Sequence, residues 1–210
     1  MTAEDFEVAQ SRNKQGFEAI AKIVPKAFDR VTRLAERKEH VTGVATGYHE
    51  LDRMTAGLQP SDLIILAARP SQGKTALALN IVQHAAMNNK VPTAVFSLEM
   101  SAEQLALRML CSFGKVDSQR IRTGRLMDED WPKLTRAVGM IENLPVHIDD
   151  TPGLTVLEMR AKARRLKQQH GIGLIVIDYM QLMTAATKAD NRQQEISFIS
   201  RNLKGMAKDL

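Results

Sequence analysis

Eight residues, Ala68-Arg-Pro-Ser-Gln-Gly-Lys-Thr75, constrain this chain more than any other stretch. An apolar run at 63–68 precedes the last seven of them and a helical pattern at 75–86 follows. That is the strand–loop–helix setting a phosphate-binding loop requires. In such a loop the backbone N–H groups and the helix N-terminus face an anion, and the helix dipole favours negative charge there. The Lys74 ammonium can reach the β- and γ-phosphates of a nucleotide, and the Thr75 hydroxyl can sit on magnesium. Gly73 lets the backbone approach closely. Ala68 stands where the usual GxxxxGK[ST] pattern has its first glycine. Ala68, Arg69, Pro70, Ser71, Gln72, Gly73, Lys74, Thr75 and Ala76 are the candidate nucleotide-binding residues, with ATP and Mg2+ as the expected ligands.

The rest of the pattern suits that loop. Strands are expected at 63–68, 93–98, 146–148 and 174–177. Helices are expected at 75–86, 101–113, 129–141, 155–170 and 193–210. Ser101 with Gln104, and Thr155 with Glu158, have capping-box spacing. Gly171 is placed to end the fourth helix. Alternating helices and apolar, β-branched strands imply an α/β fold with a mainly parallel sheet covered on both faces.

Two carboxylates follow from this reading. Asp178 ends the buried-type run Leu174-Ile-Val-Ile, at the carboxyl end of a strand, where open parallel sheets bind ligands. It is the candidate metal-holding partner of Thr75. Glu99, in Val95-Phe-Ser-Leu-Glu-Met100, also ends a strand. It can orient the water that attacks a γ-phosphate, or it can simply be acidity at a helix start. Other features read more plainly. The charges of Arg160, Lys162, Arg164, Arg165 and Lys167 surround a buried stripe of Val156, Met159, Ala163 and Leu166, so most face solvent. Lys188 and Arg192 lie in a polar loop that can face a central channel or only water. Residues 120–125, with Arg120, Arg122 and Arg125, read as a basic loop. Cys111 reads as a buried helix residue, and Met100, Met180 and Met183 as core filler.

Composition sets outer limits. The chain has 210 residues and a formal net charge of +5, with a pI near 9.4. This mild excess permits a polyanionic partner without establishing one. Aromatic residues make up 4%, which argues against a surface built mainly on base stacking. The single cysteine excludes an intramolecular disulfide framework and paired-cysteine zinc sites. No apolar run approaches a membrane span and no secretory signal is evident, so a cytoplasmic protein without membrane partners is expected. Residues 1–41 differ in texture from 42–210. Pro25 suits a first helical position, and Ala27, Phe28, Val31, Leu34 and Ala35 share one face. That helix, at about 25–37, either packs on its own domain or docks on a neighbouring subunit. Residues 36–40 look like a solvated linker.

Many motifs together resemble one family. Thr42-Gly43, Thr46-Gly47-Tyr48, Leu51-Asp52 and residues 56–62 run into ARPSQGKT. FSLEMS (96–101), RIRTG (120–124), DEDW (128–131), IDD (148–150), residues 171–183 and residues 191–210 follow. In this order and spacing they closely resemble the ATPase domain of the DnaB family of replicative DNA helicases. The resemblance covers about residues 40–210, with 1–41 similar to that family's linker region. It implies a RecA-like P-loop core, a homohexamer joined through helix 25–37, and ATP-driven 5′-to-3′ movement on single-stranded DNA. It implies Glu99 and Lys74 as catalytic residues. Primase and a helicase loader are expected partners of a full-length member. The family's later strands, which carry a γ-phosphate-sensing glutamine, the main DNA-binding loop and an arginine finger, are expected to lie beyond Leu210. The domain at 42–210 is then incomplete, with an exposed sheet edge. The alternative is a fragment that binds ATP–Mg or helicase subunits without turnover. Another RecA-like ATPase, such as a recombinase, would share the loop and the sheet but not FSLEMS, DYMQLM and 191–210 together.

Overall fold

The computed structural model describes residues 17–37, 40–184 and 192–210. Residues 1–16, Lys38, Glu39 and the loop carrying Lys188 lie outside the described residues. The chain divides into two units, Met1–His40 and Val41–Leu210.

In the first unit, helix α1 spans Ile20–Arg37 with Pro25 inside it. The expected start at Pro25 is therefore corrected by five residues. The apolar stripe continues upstream through Ile20, Ile23 and Val24, and the helix follows it across Pro25 even though an interior proline loses one backbone bond and crowds the carbonyl four residues earlier. Ile20, Val24, Phe28 and Val31 are exposed.

The second unit holds α2 (His49–Thr55), α3 (Lys74–Met87), β1 (Thr93–Ser97), α4 (Ala102–Gly114), α5 (Ser118–Thr123), α6 (Asp130–Ile141), β2 (Val146–Asp149), α7 (Val156–His170), β3 (Leu174–Asp178), a short 3-10 turn at Met180–Leu182 and α8 (Arg192–Asp209). The sheet has the order β2-β1-β3, and both pairings are parallel. All five residues of β1 are buried. Its side chains alternate between two cores, as strand geometry requires. Ala94 and Phe96 join Met159 and Ala163 of α7 and Ile199, Leu203 and Met206 of α8. Val95 faces Leu79 and Val82 of α3 and Leu105 of α4. Helices thus cover both faces, the arrangement expected of a parallel sheet.

Both capping boxes form, at Ser101–Gln104 and at Thr155–Glu158, and Gly171 ends α7 in the left-handed conformation. The strand expected at 63–68 does not form. Residues 62–69 have no regular secondary structure and pair with no strand. Ile64, Ile65 and Leu66 are exposed at 58%, 62% and 44%. An apolar, β-branched run becomes a strand only when a neighbour offers a ladder, and β3 offers its free edge to none of these residues.

Residues 42–58 form a small module, closed by an antiparallel bridge between Val44 and Leu58. Asp52 is its anchor. It is buried, and its carboxylate accepts from Thr46 N at 2.8 Å, Thr46 Oγ1 at 2.8 Å and Gly47 N at 3.0 Å. The module lies against α3. Asn80 Nδ2 donates to the Tyr48 hydroxyl at 3.2 Å, and a Cβ on Gly47 would stand 2.5 Å from the His84 ring. Burial opposes the Asp52 charge, but the bonds from Thr46 and Gly47, with His84 nearby, hold its carboxyl below the ordinary carboxylate range.

Met159 is fully buried between sheet and helices, so Met159→Ala should cost about 2–5 kcal/mol in urea unfolding. For Asp52, a folded-state value below the unfolded one gives stabilisation that is complete above about pH 4 and is lost as pH falls through the folded value. Asp52→Asn should flatten that acid limb in unfolding curves measured across pH; an unchanged limb would rule out the anchor role.

Candidate nucleotide-binding site

Residues 68–73 form an exposed loop that leads from the unpaired segment into α3. Two residues of the loop have positive φ, Ser71 at 64° and Gly73 at 88°. Gly73 is the N-cap of α3, and the first turn of that helix carries no acidic side chain. Its leading N–H groups have no intrahelical acceptor, and its positive dipole end carries no acidic side chain from the helix itself. A concave run of backbone donors at such an end is suited to an anion.

The side chains after Gly73 reach across to the end of β3. Thr75 Oγ1 donates to Asp178 Oδ2 at 2.6 Å. Lys74 Nζ stands 5.3 Å from the centre of the Tyr179 ring, within cation–π range. Among the described residues Lys74 has no carboxylate partner. The sheet supplies the remaining group. Ser97 of β1 lies opposite Asp178 of β3, and Leu98 N donates to the Asp178 carbonyl at 2.7 Å. Glu99 follows directly and is exposed at the same end of the sheet. The structure therefore brings Lys74, Thr75, Asp178 and the Glu99 loop to one end, where two oxygen ligands of the kind that suit magnesium already touch.

The other candidates separate from this group. On α7, Lys162 pairs with Asp149 at 2.6 Å, Arg160 pairs with Asp209, and Lys167 donates to the Ile172 carbonyl at 2.6 Å. These bonds occupy much of that helix's charge. The basic loop expected at 120–125 is corrected in part, because residues 118–123 form α5, capped by Asp117. Arg120 lies 3.5 Å from buried Asp130, so it ties α5 to the start of α6. Hydrogen bonding from Met127 N, against the cost of burial, and the charges of Arg120 and Lys133 keep the Asp130 carboxyl low. Arg192 donates to the Gln181 carbonyl and pairs with Glu195. Cys111 is half-buried rather than buried, and loss of solvation pushes its thiol up. Met183 is buried, while Met100 and Met180 pack on the cores from partly exposed positions. Sequence reasoning missed the place of Tyr179 at the site. Its position immediately after Asp178 was the available signal.

Comparison with known proteins gives a consistent picture. The description "DnaB-like helicase C terminal domain" matches residues 43–210. The chain is 54% identical over 206 residues to the replicative DNA helicase DnaC of Bacillus subtilis (strain 168), covering 98% of this chain and 45% of that protein. It is 52% identical to the replicative DNA helicase DnaB of Geobacillus stearothermophilus, again covering 45% of the relative. The chain thus spans less than half the length of these relatives. Among solved structures, a chain described as an ATPase domain matches with a TM-score of 0.85 at 34% identity, covering 92% of this chain and 68% of that one. A DnaB-like replicative helicase, described with its interactions with primase, matches with a TM-score of 0.80 at 36% identity, covering 88% of this chain and 45% of that one. The α/β arrangement described above is the RecA-like one.

Gly73 offers a test of the loop itself. Nothing lies within 4 Å of an added Cβ there, but its φ is +88°. Gly73→Ala should cost about 1–2 kcal/mol through backbone strain alone, read as a shift in the denaturation midpoint.

Proposed function

Because the chain belongs to the DnaB-like helicase C-terminal domain family, we propose that Val41–Leu210 is part of a replicative helicase motor. It couples ATP hydrolysis to 5′-to-3′ translocation on single-stranded DNA and duplex unwinding at the replication fork. The observation that carries this reading is the 2.6 Å hydrogen bond from Thr75 to Asp178, which joins the phosphate loop to the strand-end carboxylate across 103 residues of sequence.

In this reading the backbone of 68–76 cradles the phosphates, and Lys74 leaves the Tyr179 ring to meet the β- and γ-phosphates. Thr75 and Asp178 hold Mg2+, directly or through its waters. Held there, the ion would supply positive charge against the negative charge that develops on the phosphates. Glu99 orients the attacking water and takes its proton. Residues 1–41 are a linker region, and α1, which overlaps the helix expected at 25–37, docks on a neighbouring subunit of a homohexamer through its exposed apolar stripe. Primase and a loader are partners of the longer protein, and the setting is cytoplasmic. No helix among the described residues is long and apolar enough to cross a membrane.

A second reading is favoured by one feature, the unpaired segment before the loop. The loop then lacks the paired strand such loops require, which suits a chain that binds ATP–Mg or helicase subunits without turnover.

ATP turnover with and without single-stranded DNA tests both. The motor reading expects DNA-stimulated turnover that falls to background in Lys74→Ala. A rate indifferent to that substitution would sink the role of Lys74. Binding of a fluorescent ATP analogue with no turnover would select the second reading.

A further inference from the structure

The turn that carries Glu99 is held by the side chain of Ser97. Ser97, the last residue of β1, is 1% exposed. Its Oγ donates to the Met100 carbonyl at 2.6 Å and accepts from Met100 N at 3.3 Å. One hydroxyl thereby closes residues 97–100 into a tight turn, with Glu99 at its exposed tip. A second clamp acts on the far side. Asp150, just past the end of β2, accepts from Ala102 N at 2.8 Å. It satisfies one of the leading N–H groups of α4, while Ser101 caps another at Gln104. Leu98 N is already fixed on Asp178. The turn is pinned at both ends, and the Glu99 side chain faces solvent.

We infer that Ser97 is the positioning residue of Glu99, and that Asp150 supports it from β2. The inference rests on the reading of Glu99 as the water-orienting carboxylate. Ser97 does not reach the reacting atoms. It acts by denying the turn alternative shapes, so that Glu99 stays at the end of the sheet where Asp178 lies. The hydroxyl is suited to this because it bonds both polar groups of a single residue. Alanine would keep the packing and lose both bonds, and cysteine would keep the size with only weak hydrogen bonding. Threonine keeps the hydroxyl on a residue that strands accept.

The test uses the 210-residue chain and amide relaxation by NMR. In the parent, Glu99 and Met100 should show rigid-backbone order parameters near 0.85. In Ser97→Ala and Ser97→Cys they should fall below about 0.6, while Leu105 and Val82 stay rigid, and Ser97→Thr should restore them. Asp150→Ala should loosen Ser101 and Ala102 in the same way. Where turnover is measured, Ser97→Ala should lower kcat roughly 10- to 100-fold with KM moving less than about twofold. Unchanged order at Glu99 in both hydroxyl-less variants overturns the inference. The carboxylate's own role is separable. If Ser97→Ala loosens the turn but Glu99→Gln keeps kcat, the positioning stands and the catalytic reading of Glu99 falls. If Glu99→Gln abolishes turnover while Ser97→Ala leaves order and kcat untouched, the assignment to Ser97 falls alone.

Discussion

Five paired positions, from Thr93 opposite Leu174 to Ser97 opposite Asp178, decide where the reactive groups at the candidate site lie. Parallel pairing puts both carboxyl ends on one edge of the sheet, about 4.8 Å apart. It therefore sets Asp178 and the Glu99 turn side by side. It also buries β1 completely, so that α3 on one face and α7 and α8 on the other have a fixed floor to pack on. The helix that begins at Lys74 is aimed at that edge because Leu79 and Val82 hold it against Val95. A register slip of one residue would exchange the two faces of β1, placing Ala94 and Phe96 under α3 and withdrawing the site's floor.

What could be read beforehand divides along a physical line. Locally determined features were legible. The capping boxes at Ser101 and Thr155 depend on residues three apart, and the apolar runs that became β1 and β3 declare themselves by β-branched content, although β3, expected to be buried, is only half-buried because it lies at the edge of the sheet. Lys74, Thr75 and Asp178 stood out as candidates by their order in the sequence, and the structure brings Thr75 and Asp178 into contact. Features set by distant partners were not. The run at 63–68 has strand composition, yet a strand is a relation between two segments. Pro25 looks like a helix start by a local rule that the longer apolar stripe overrides. Helices α2 and α5, with seven and six residues, are too short to establish a period. The approach of Lys74 to Tyr179 joins two segments far apart in the chain, and no pattern within the loop announces it.

Charge is used structurally across much of the unit, and this qualifies the positive balance of the chain. Lys162 and Arg160 on α7 hold β2 and α8, Lys167 fastens the link that follows its own helix, and Arg120 binds α5 to a buried aspartate. Exposed pairs of this kind contribute at most about 1 kcal/mol each. Their main effect is on availability, since a cation engaged by a carboxylate is poorly placed to meet phosphate. Lys74 differs. It stands over the Tyr179 ring, a contact that an anion could displace without breaking an ion pair.

The long span between Thr75 and Asp178 also has a consequence during synthesis. The loop leaves the ribosome 103 residues ahead of its carboxylate. At ordinary elongation rates that interval is roughly 5–20 s. For that time the 14-residue segment that becomes α3 has no β3 to receive the Thr75 hydroxyl, and a segment of that length is only marginally helical by itself. The helix end at Gly73 is thus organised only late, once the strands it packs on have been made.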